Sequence, residues 1–127
     1  IQFRSQPQTE KNKEHEMIGY QADIISWKKG ALYDEQRRWD FLGTPLCKNP
    51  DYNPKEWNSY IIRCEGPRIR IWLNGAQTLD YIEPFSDCPH PDAQIGKIPL
   101  TGYIALQIHE GKACEAIYKD IEIEKIK

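Results

Sequence analysis

Residues 104–109 alternate strictly between large apolar side chains and small or polar ones. In an extended strand, this alternation places two isoleucines and a leucine on one face and Gln107 and His109 on the other. A helix would scatter the same side chains around its axis. The pattern therefore predicts a β-strand with one buried face and one polar face.

The same two-residue period recurs in residues 1–4 and 20–24. We expect the three strands to share one polar face. A face that combines amide, carboxylate, imidazole and guanidinium groups suits a polyhydroxylated ligand, and a sugar is the first to consider. The expected members of this face are Arg4, Gln21, Asp23, Gln107 and His109, and the residues expected to be buried on the other side are Ile1, Phe3, Ile24, Leu106 and Ile108.

Strand and turn signals dominate the rest of the chain. Asn74-Gly75 separates two alternating runs, 68–73 and 76–82, and both turn residues accept the positive φ of a type I′ hairpin turn. A last strand is expected over about 113–126. No segment has a convincing helical period, so the sequence predicts an all-β, antiparallel sandwich or barrel.

Length and charge set further limits on the chain. Its 127 residues suit a single domain, 1–127, with its own core. The 17 basic and 19 acidic residues leave a net charge of -2 without the basic stripe that nucleic acid requires. We expect the pairs Lys28-Lys29 and Arg37-Arg38 to be solvated. No apolar run reaches membrane-spanning length, and no signal-peptide pattern is visible, so neither nucleic acid nor membrane insertion is expected.

The four cysteines form no CxxC pair, which argues against a zinc ribbon or a thioredoxin-type motif. Cys64 and Cys114 lie in apolar runs and are expected to be buried thiols. Cys47 and Cys88 lie in proline-rich loops, where a disulfide between them would join two long segments. Their pairing stays open at this point.

Seven short segments carry a resemblance across nearly the whole chain. They are IQFRS (1–5), GYQADI (19–24), GALYDE (30–35), EWNSY (56–60), IWLNG (71–75), IALQIH (104–109) and YKDI (118–121). In this order and approximate spacing they resemble the 3-keto-disaccharide hydrolase family. The resemblance implies a concanavalin-like jelly-roll β-sandwich, secreted or periplasmic, with its ligand on the concave sheet. It also implies activity on glycosides whose C3 hydroxyl has been oxidised to a ketone.

The resemblance also implies that strands are missing before residues 1–4, where family members usually continue. The chain would then be a fragment, a minimal relative, or one part of an assembly. We expect a homo-oligomer or a second chain to complete the sandwich, because a sheet edge left open is prone to pair with another strand.

A C3 ketone makes the C2 proton acidic, so cleavage by elimination needs a base at C2, a donor to the ketone and an acid at the leaving oxygen. His109 is a candidate base or acid because its ordinary pKa is near neutrality. Asp23 and Glu35 are the carboxylate candidates, and with His109 they can also bind a divalent metal ion. The candidate substrate-binding residues are Arg4 as a clamp, Gln21, Tyr33 and Gln107 as oxygen contacts, and Trp57 as a stacking ring.

Each assignment has a structural alternative: Arg4 and Asp23 can form a cross-strand ion pair, and Trp57 can anchor its loop. The preferred function is a glycoside-cleaving enzyme that acts on 3-keto-glycosides. The alternatives are a non-catalytic carbohydrate-binding module, a protein-interaction domain and an ordinary two-carboxylate glycosidase. The titratable cluster favours the enzyme, because a lectin has little use for acid, base and guanidinium groups on one face.

Overall fold

Antiparallel β-strands make up the regular structure of the chain. A computed structural model describes residues 1–11, 13–25, 28–109, 111 and 113–126. In these ranges the strands are β1 (Gln2–Pro7), β2 (Met17–Ile25), β3 (Lys28–Glu35), β4 (Phe41–Leu42), β5 (Tyr60–Glu65), β6 (Arg68–Leu73), β7 (Ala76–Ile82) and β8 (Tyr103–Ala105).

The strands form two sheets. The large sheet has the order β4-β3-β2-β1-β8, and the small sheet has the order β5-β6-β7. Within the described residues there is no helix, and so none long and apolar enough to span a membrane. The predicted all-β, antiparallel sandwich is confirmed.

The core lies between the two sheets. In the large sheet, Phe3 stacks on Tyr20 with ring centroids 5.7 Å apart, and Leu32 is fully buried. In the small sheet, Ile69 and Ile71 are fully buried opposite them. Each of these side chains stabilises the fold by about 1.5–3 kcal/mol relative to an exposed position. Alternation along the strands therefore directs one face of each sheet into the core.

The hairpin between β6 and β7 has the predicted turn. Asn74 and Gly75 have φ angles of 48° and 81°. The Asn74 side chain also donates to the Asp51 carbonyl at 2.7 Å and accepts from the Ser59 amide at 2.7 Å. One residue thus shapes the turn and holds the loop that precedes β5.

A buried ion network ties the two sheets together at one end. Asp34 and Glu83 are almost completely buried, and the Arg38 guanidinium bonds to both carboxylates. The Arg37 guanidinium forms a second ion pair with Asp34 at 2.6 Å, and the Tyr20 hydroxyl donates a hydrogen bond to Glu83 at 2.5 Å. The expectation that Arg37-Arg38 is a solvated pair is therefore wrong. The two arginines are recruited because buried carboxylates need charged partners.

The predicted last strand is not formed. The described residues 113–126 lie outside the strands, and Ile123 is 79% exposed. Leu106 and Ile108 follow the end of β8 and are 47% and 60% exposed, and Ile24 is 38% exposed, so the expectation that these three are buried is wrong. The physical reason is the position of the small sheet, which packs its β6 and β7 against β3 and leaves the β8 side of the large sheet uncovered.

The cysteines, all four of which are described, are free thiols. Cys47 and Cys88 are therefore not joined by the disulfide that their loops suggested. Cys64 is half-buried and packs against the core, but Cys114 is exposed because the strand expected around it is absent.

Candidate functional site

One row of paired residues crosses the large sheet from β8 to β4. The register places Ala105, Gln2, Gln21, Tyr33 and Phe41 directly opposite one another in turn. Residues paired in this way point to the same side of a sheet. The neighbouring pair of Phe3 and Tyr20 points into the core, so this row lies on the opposite side.

We call the surface formed by Gln2, Gln21, Asp23, Tyr33 and Glu35 the polar face. Gln2 and Gln21 are both buried in it, and the Gln2 amide donates to the Gln21 carbonyl oxygen at 3.3 Å. The two glutamine side chains are thus paired with each other, and the hydrogen bond between Gln21 and Asp23 connects them to the first carboxylate of the face.

The two carboxylates of the polar face lie on either side of Tyr33. Asp23 is two residues from Gln21, the partner of Tyr33, and Glu35 is two residues from Tyr33 itself in the other direction. Along paired strands this corresponds to roughly 14 Å between the two backbone positions. The register therefore places the Tyr33 phenol between the two acids along the strands.

The surroundings of these groups change their proton affinities. Burial raises the pKa of Asp23, and a hydrogen bond from Gln21 partly opposes that rise. Burial and the charge of Asp23 together raise the pKa of Glu35. Burial and both carboxylates raise the pKa of Tyr33. Tyr33 is therefore a protonated hydrogen-bond donor at neutral pH, and the carboxylates are stronger bases than usual.

His109 belongs to the same electrostatic cluster although it lies outside a strand. It is exposed in the segment that follows β8, and its charge favours the ionised forms of both Asp23 and Glu35. Gln107 is half-buried in the same segment, and its backbone carbonyl oxygen accepts a hydrogen bond from the Tyr118 hydroxyl, 3.1 Å away. The functional grouping of His109 with the two carboxylates, and the catalytic roles assigned to them, stay predictions.

Arg4 is not on the polar face. Its φ is +49°, and the pairing of β1 with β2 shifts register between Phe3 and Gln6. The Arg4 guanidinium donates instead to the Gly66 carbonyl in the turn between β5 and β6, at 2.7 Å. The expected position of Arg4 is wrong because a β-bulge redirects the side chain that simple alternation places outward. For the same reason the alternative ion pair with Asp23 does not form.

Trp57 also lies apart from the polar face. It precedes β5 of the small sheet, is 58% exposed, and has the Lys119 ammonium 4.3 Å from its ring centroid. Its stacking on a sugar stays a prediction that this position does not favour.

Two residues that sequence reasoning missed border the polar face. Phe41 packs on Tyr33 with ring centroids 4.9 Å apart, and the Lys28 ammonium lies 3.8 Å from the centroid of the Phe41 ring. Lys28 was expected to be merely solvated. A strand of two residues, β4, is too short to show an alternation, so the sequence contains no signal for this contact.

The donor set does not fit a metal ion. Across the described residues, no three His, Cys, Asp or Glu side chains are grouped so that they could hold one. Asp23, Glu35 and His109 thus do not form the three-ligand site that the sequence allowed. The spacing of the two carboxylates along their strands is the physical reason.

The fold and the polar face together define a β-sandwich with a sheet surface suited to a carbohydrate. A family model described as the 3-keto-alpha-glucoside-1,2-lyase-like domain matches residues 1–124. The chain belongs to this family, and the predicted membership is confirmed. No curated protein and no solved structure matches the chain.

Proposed function

We propose that this domain cleaves 3-keto-glycosides on its polar face by elimination across C1 and C2, followed by hydration. The single observation that carries the proposal is the position of Tyr33, a protonated donor between two carboxylates of raised pKa. The description of the family as a 3-keto-alpha-glucoside-1,2-lyase-like domain supports the same chemistry.

The first step is proton abstraction at C2. Asp23 takes the C2 proton, and the electron pair of the broken C–H bond moves toward the C3 ketone, which becomes an enolate. Tyr33 donates a hydrogen bond to the oxygen where this charge develops, and the Gln21 amide keeps Asp23 in place. A raised pKa helps Asp23, because a base accepts a carbon-bound proton more readily as its own proton affinity rises.

The second step is loss of the leaving group. The enolate electrons form a C1–C2 double bond, the bond between C1 and the glycosidic oxygen breaks, and His109 gives its proton to that oxygen. The charge of His109 in turn favours the ionised form of Glu35. Addition of water at C1, with a proton returned to C2, then yields the free 3-keto sugar, so that the net reaction is hydrolysis.

The proposal can be tested with 3-keto-trehalose and with trehalose itself as the unoxidised control. In deuterated water the product should carry deuterium at C2, because elimination and hydration exchange that proton with solvent. Cleavage without deuterium at C2, or equal cleavage of trehalose, would contradict elimination and favour a two-carboxylate glycosidase.

Variants assign the roles. His109→Ala and Asp23→Asn should each lower kcat by about 10²–10⁴-fold, the usual size of general acid–base catalysis. Gln107→Ala should mainly raise KM. Asp80→Asn, on the outer face of the small sheet, is the matched control for a lost carboxylate and should keep full activity. Full activity in both His109→Ala and Asp23→Asn would exclude this site, and sugar binding without any turnover would identify a carbohydrate-binding module.

A further inference from the structure

A cavity of about 290 Å³ lies beside β4, at the edge of the large sheet. It forms where the loop that contains Pro45 and Cys47 crosses toward the small sheet, held by a hydrogen bond from the Leu46 amide to the Thr78 carbonyl, 2.9 Å away. Its size is at the lower end of known ligand pockets, about 300–1,000 Å³, and suits one ring better than a whole disaccharide.

The wall of this cavity is apolar and its charge is of one sign. Phe41, Leu42 and Leu79 form much of the surface, and the described lining residues include three lysines but neither aspartate nor glutamate. The lysines are Lys28, Lys29 and Lys48.

These lysines are not neutralised by carboxylates of the described chain. Lys28 lies over the Phe41 ring at 3.8 Å, and Lys29 lies over the Tyr52 ring at 5.5 Å. No ion pair to any of the three lysines occurs among the described residues. Three uncompensated cations around an apolar surface favour an anion with an apolar body.

The cavity adjoins the polar face. Phe41 lines the cavity and also packs on Tyr33, 4.9 Å away. Ala31 lines the cavity as well, and it is the direct strand partner of Asp23. A ligand on the polar face can therefore extend one of its ends into the cavity.

We propose that this cavity is a subsite for a flat, anionic group, an aromatic carboxylate, carried by the ligand of the polar face. The inference rests on the proposed function where it names the substrate class, which is glycosides whose leaving group bears an aromatic acid. The ring packs against Phe41 and the leucines, and the carboxylate meets the lysines. A neutral sugar offers no negative charge to pair with the three lysines.

The test uses free 4-hydroxybenzoate as the probe and 4-hydroxybenzamide, which has the same shape without the charge, as the control. Each is titrated into the whole chain at low ionic strength and followed by amide NMR. We expect 4-hydroxybenzoate to shift the backbone amide signals of Leu42 and Gly43 and to bind at least fivefold more tightly than 4-hydroxybenzamide. Its affinity should fall as salt is added. Equal binding of the two probes, or shifts confined to other regions, would overturn the proposal.

Variants separate the cavity from nonspecific attraction. Lys28→Gln combined with Lys48→Gln should weaken 4-hydroxybenzoate binding about five- to tenfold, because each ion pair near the surface contributes little. Lys97→Gln, which removes an exposed lysine outside the cavity, should leave binding unchanged. Cys47→Phe should fill the cavity and abolish binding, with a thermal melt to confirm folding. Unchanged binding in both the double variant and a folded Cys47→Phe protein would refute the subsite.

Binding of the free acid does not depend on turnover, so the two proposals fail separately. If 3-keto-trehalose is not cleaved but 4-hydroxybenzoate still binds in the cavity, the reaction is wrong and the subsite stands. If 3-keto-trehalose is cleaved but the acid does not bind, the reaction stands and the subsite is wrong.

Discussion

The buried carboxylate of Glu83 offers a sharp test of what joins the two sheets. It accepts hydrogen bonds from the Tyr20 hydroxyl at 2.5 Å, from both terminal nitrogens of Arg38 at 2.8 and 3.2 Å, and from the Phe85 amide at 3.1 Å. Glu83→Gln keeps the shape of the side chain but replaces one acceptor oxygen with an amino group. That group would face donors, and Arg38 would lose one of its two carboxylate partners.

The cost can be worked out from this geometry. Removing one partner of a buried ion pair destabilises a protein by about 3–5 kcal/mol, since the other charge stays buried. Arg38 keeps its ion pair with Asp34, so we expect the loss of stability in Glu83→Gln to lie near the lower end of this range, at about 3 kcal/mol. Such a loss is a large part of the roughly 5–15 kcal/mol that holds most domains folded. It should lower Tm by about 10 °C in a chain of this length.

Urea denaturation followed by tryptophan fluorescence measures this change, as a lower midpoint at an unchanged m-value. The matched control is Asp80→Asn, which breaks the exposed pair with Arg68 and should cost far less than Glu83→Gln, because solvent screens an exposed ion pair. An equal, small loss for both variants would refute the idea that the buried network stabilises the sandwich.

The stability lost in Glu83→Gln should also depend on pH. Burial opposes the charge of Glu83, but hydrogen bonds from Arg38 and Tyr20 outweigh it and hold the pKa of Glu83 below its ordinary value. A carboxyl whose pKa is lower when folded stabilises the protein above its ordinary pKa, and this contribution is lost as pH falls through the lowered value. The difference in stability between the native protein and Glu83→Gln should therefore shrink below about pH 4. A constant difference would contradict this assignment.

Three further predictions concern the polar face and the sheet beneath it. Tyr33→Phe should lower kcat for 3-keto-trehalose about 10²-fold, since it removes the donor to the enolate oxygen, and an unchanged kcat would exclude that role. The value of kcat/KM should fall in acid through an apparent pKa above that of an ordinary aspartate, because protonation of Asp23 removes the base, and a flat profile down to pH 4 would contradict it. Gly30→Ala should cost about 2–4 kcal/mol in urea denaturation, because Gly30 has a φ of +71° and a Cβ there would lie 2.5 Å from the Thr78 hydroxyl oxygen. Gly66→Ala, at a φ of +52° with open space around it, should cost only about 1 kcal/mol, and equal losses would show that the contact is unimportant.

Alternation was a sound guide to much of the polar face. It placed Gln21 and Asp23 opposite the core-facing Tyr20, because a strand without irregularities directs successive side chains to opposite sides. It failed at Arg4, where a bulge with positive φ changes the direction of one side chain. Arginine has no local preference for that conformation, so nothing in the residue itself indicates the bulge.

Long-range contacts account for the other differences. Arg37 and Arg38 have the sequence appearance of a solvated pair, and they become buried only because Glu83 arrives from β7, 45 residues beyond Arg38. The pattern near Ile121 and Ile123 is that of a strand, but a strand also needs a neighbour to pair with. The local sequence specifies neither the carboxylate that reaches Arg38 nor a neighbouring strand for Ile121 and Ile123. The cavity next to Phe41 could not be predicted for the same reason, because its wall combines residues that are far apart in the sequence.

The apolar stretch that follows β8 determines how the protein should be handled in concentrated salt. Leu106, Ile108, Ile117 and Ile121 are between 47% and 65% exposed. Sulfate and similar salts are excluded from protein surfaces and strengthen contacts between apolar side chains, so they should salt this chain out at modest concentration. The same salts screen the charges of lysines. Dilute buffers therefore serve two purposes at once: they keep the molecules apart and leave the cations beside β4 able to attract an acid.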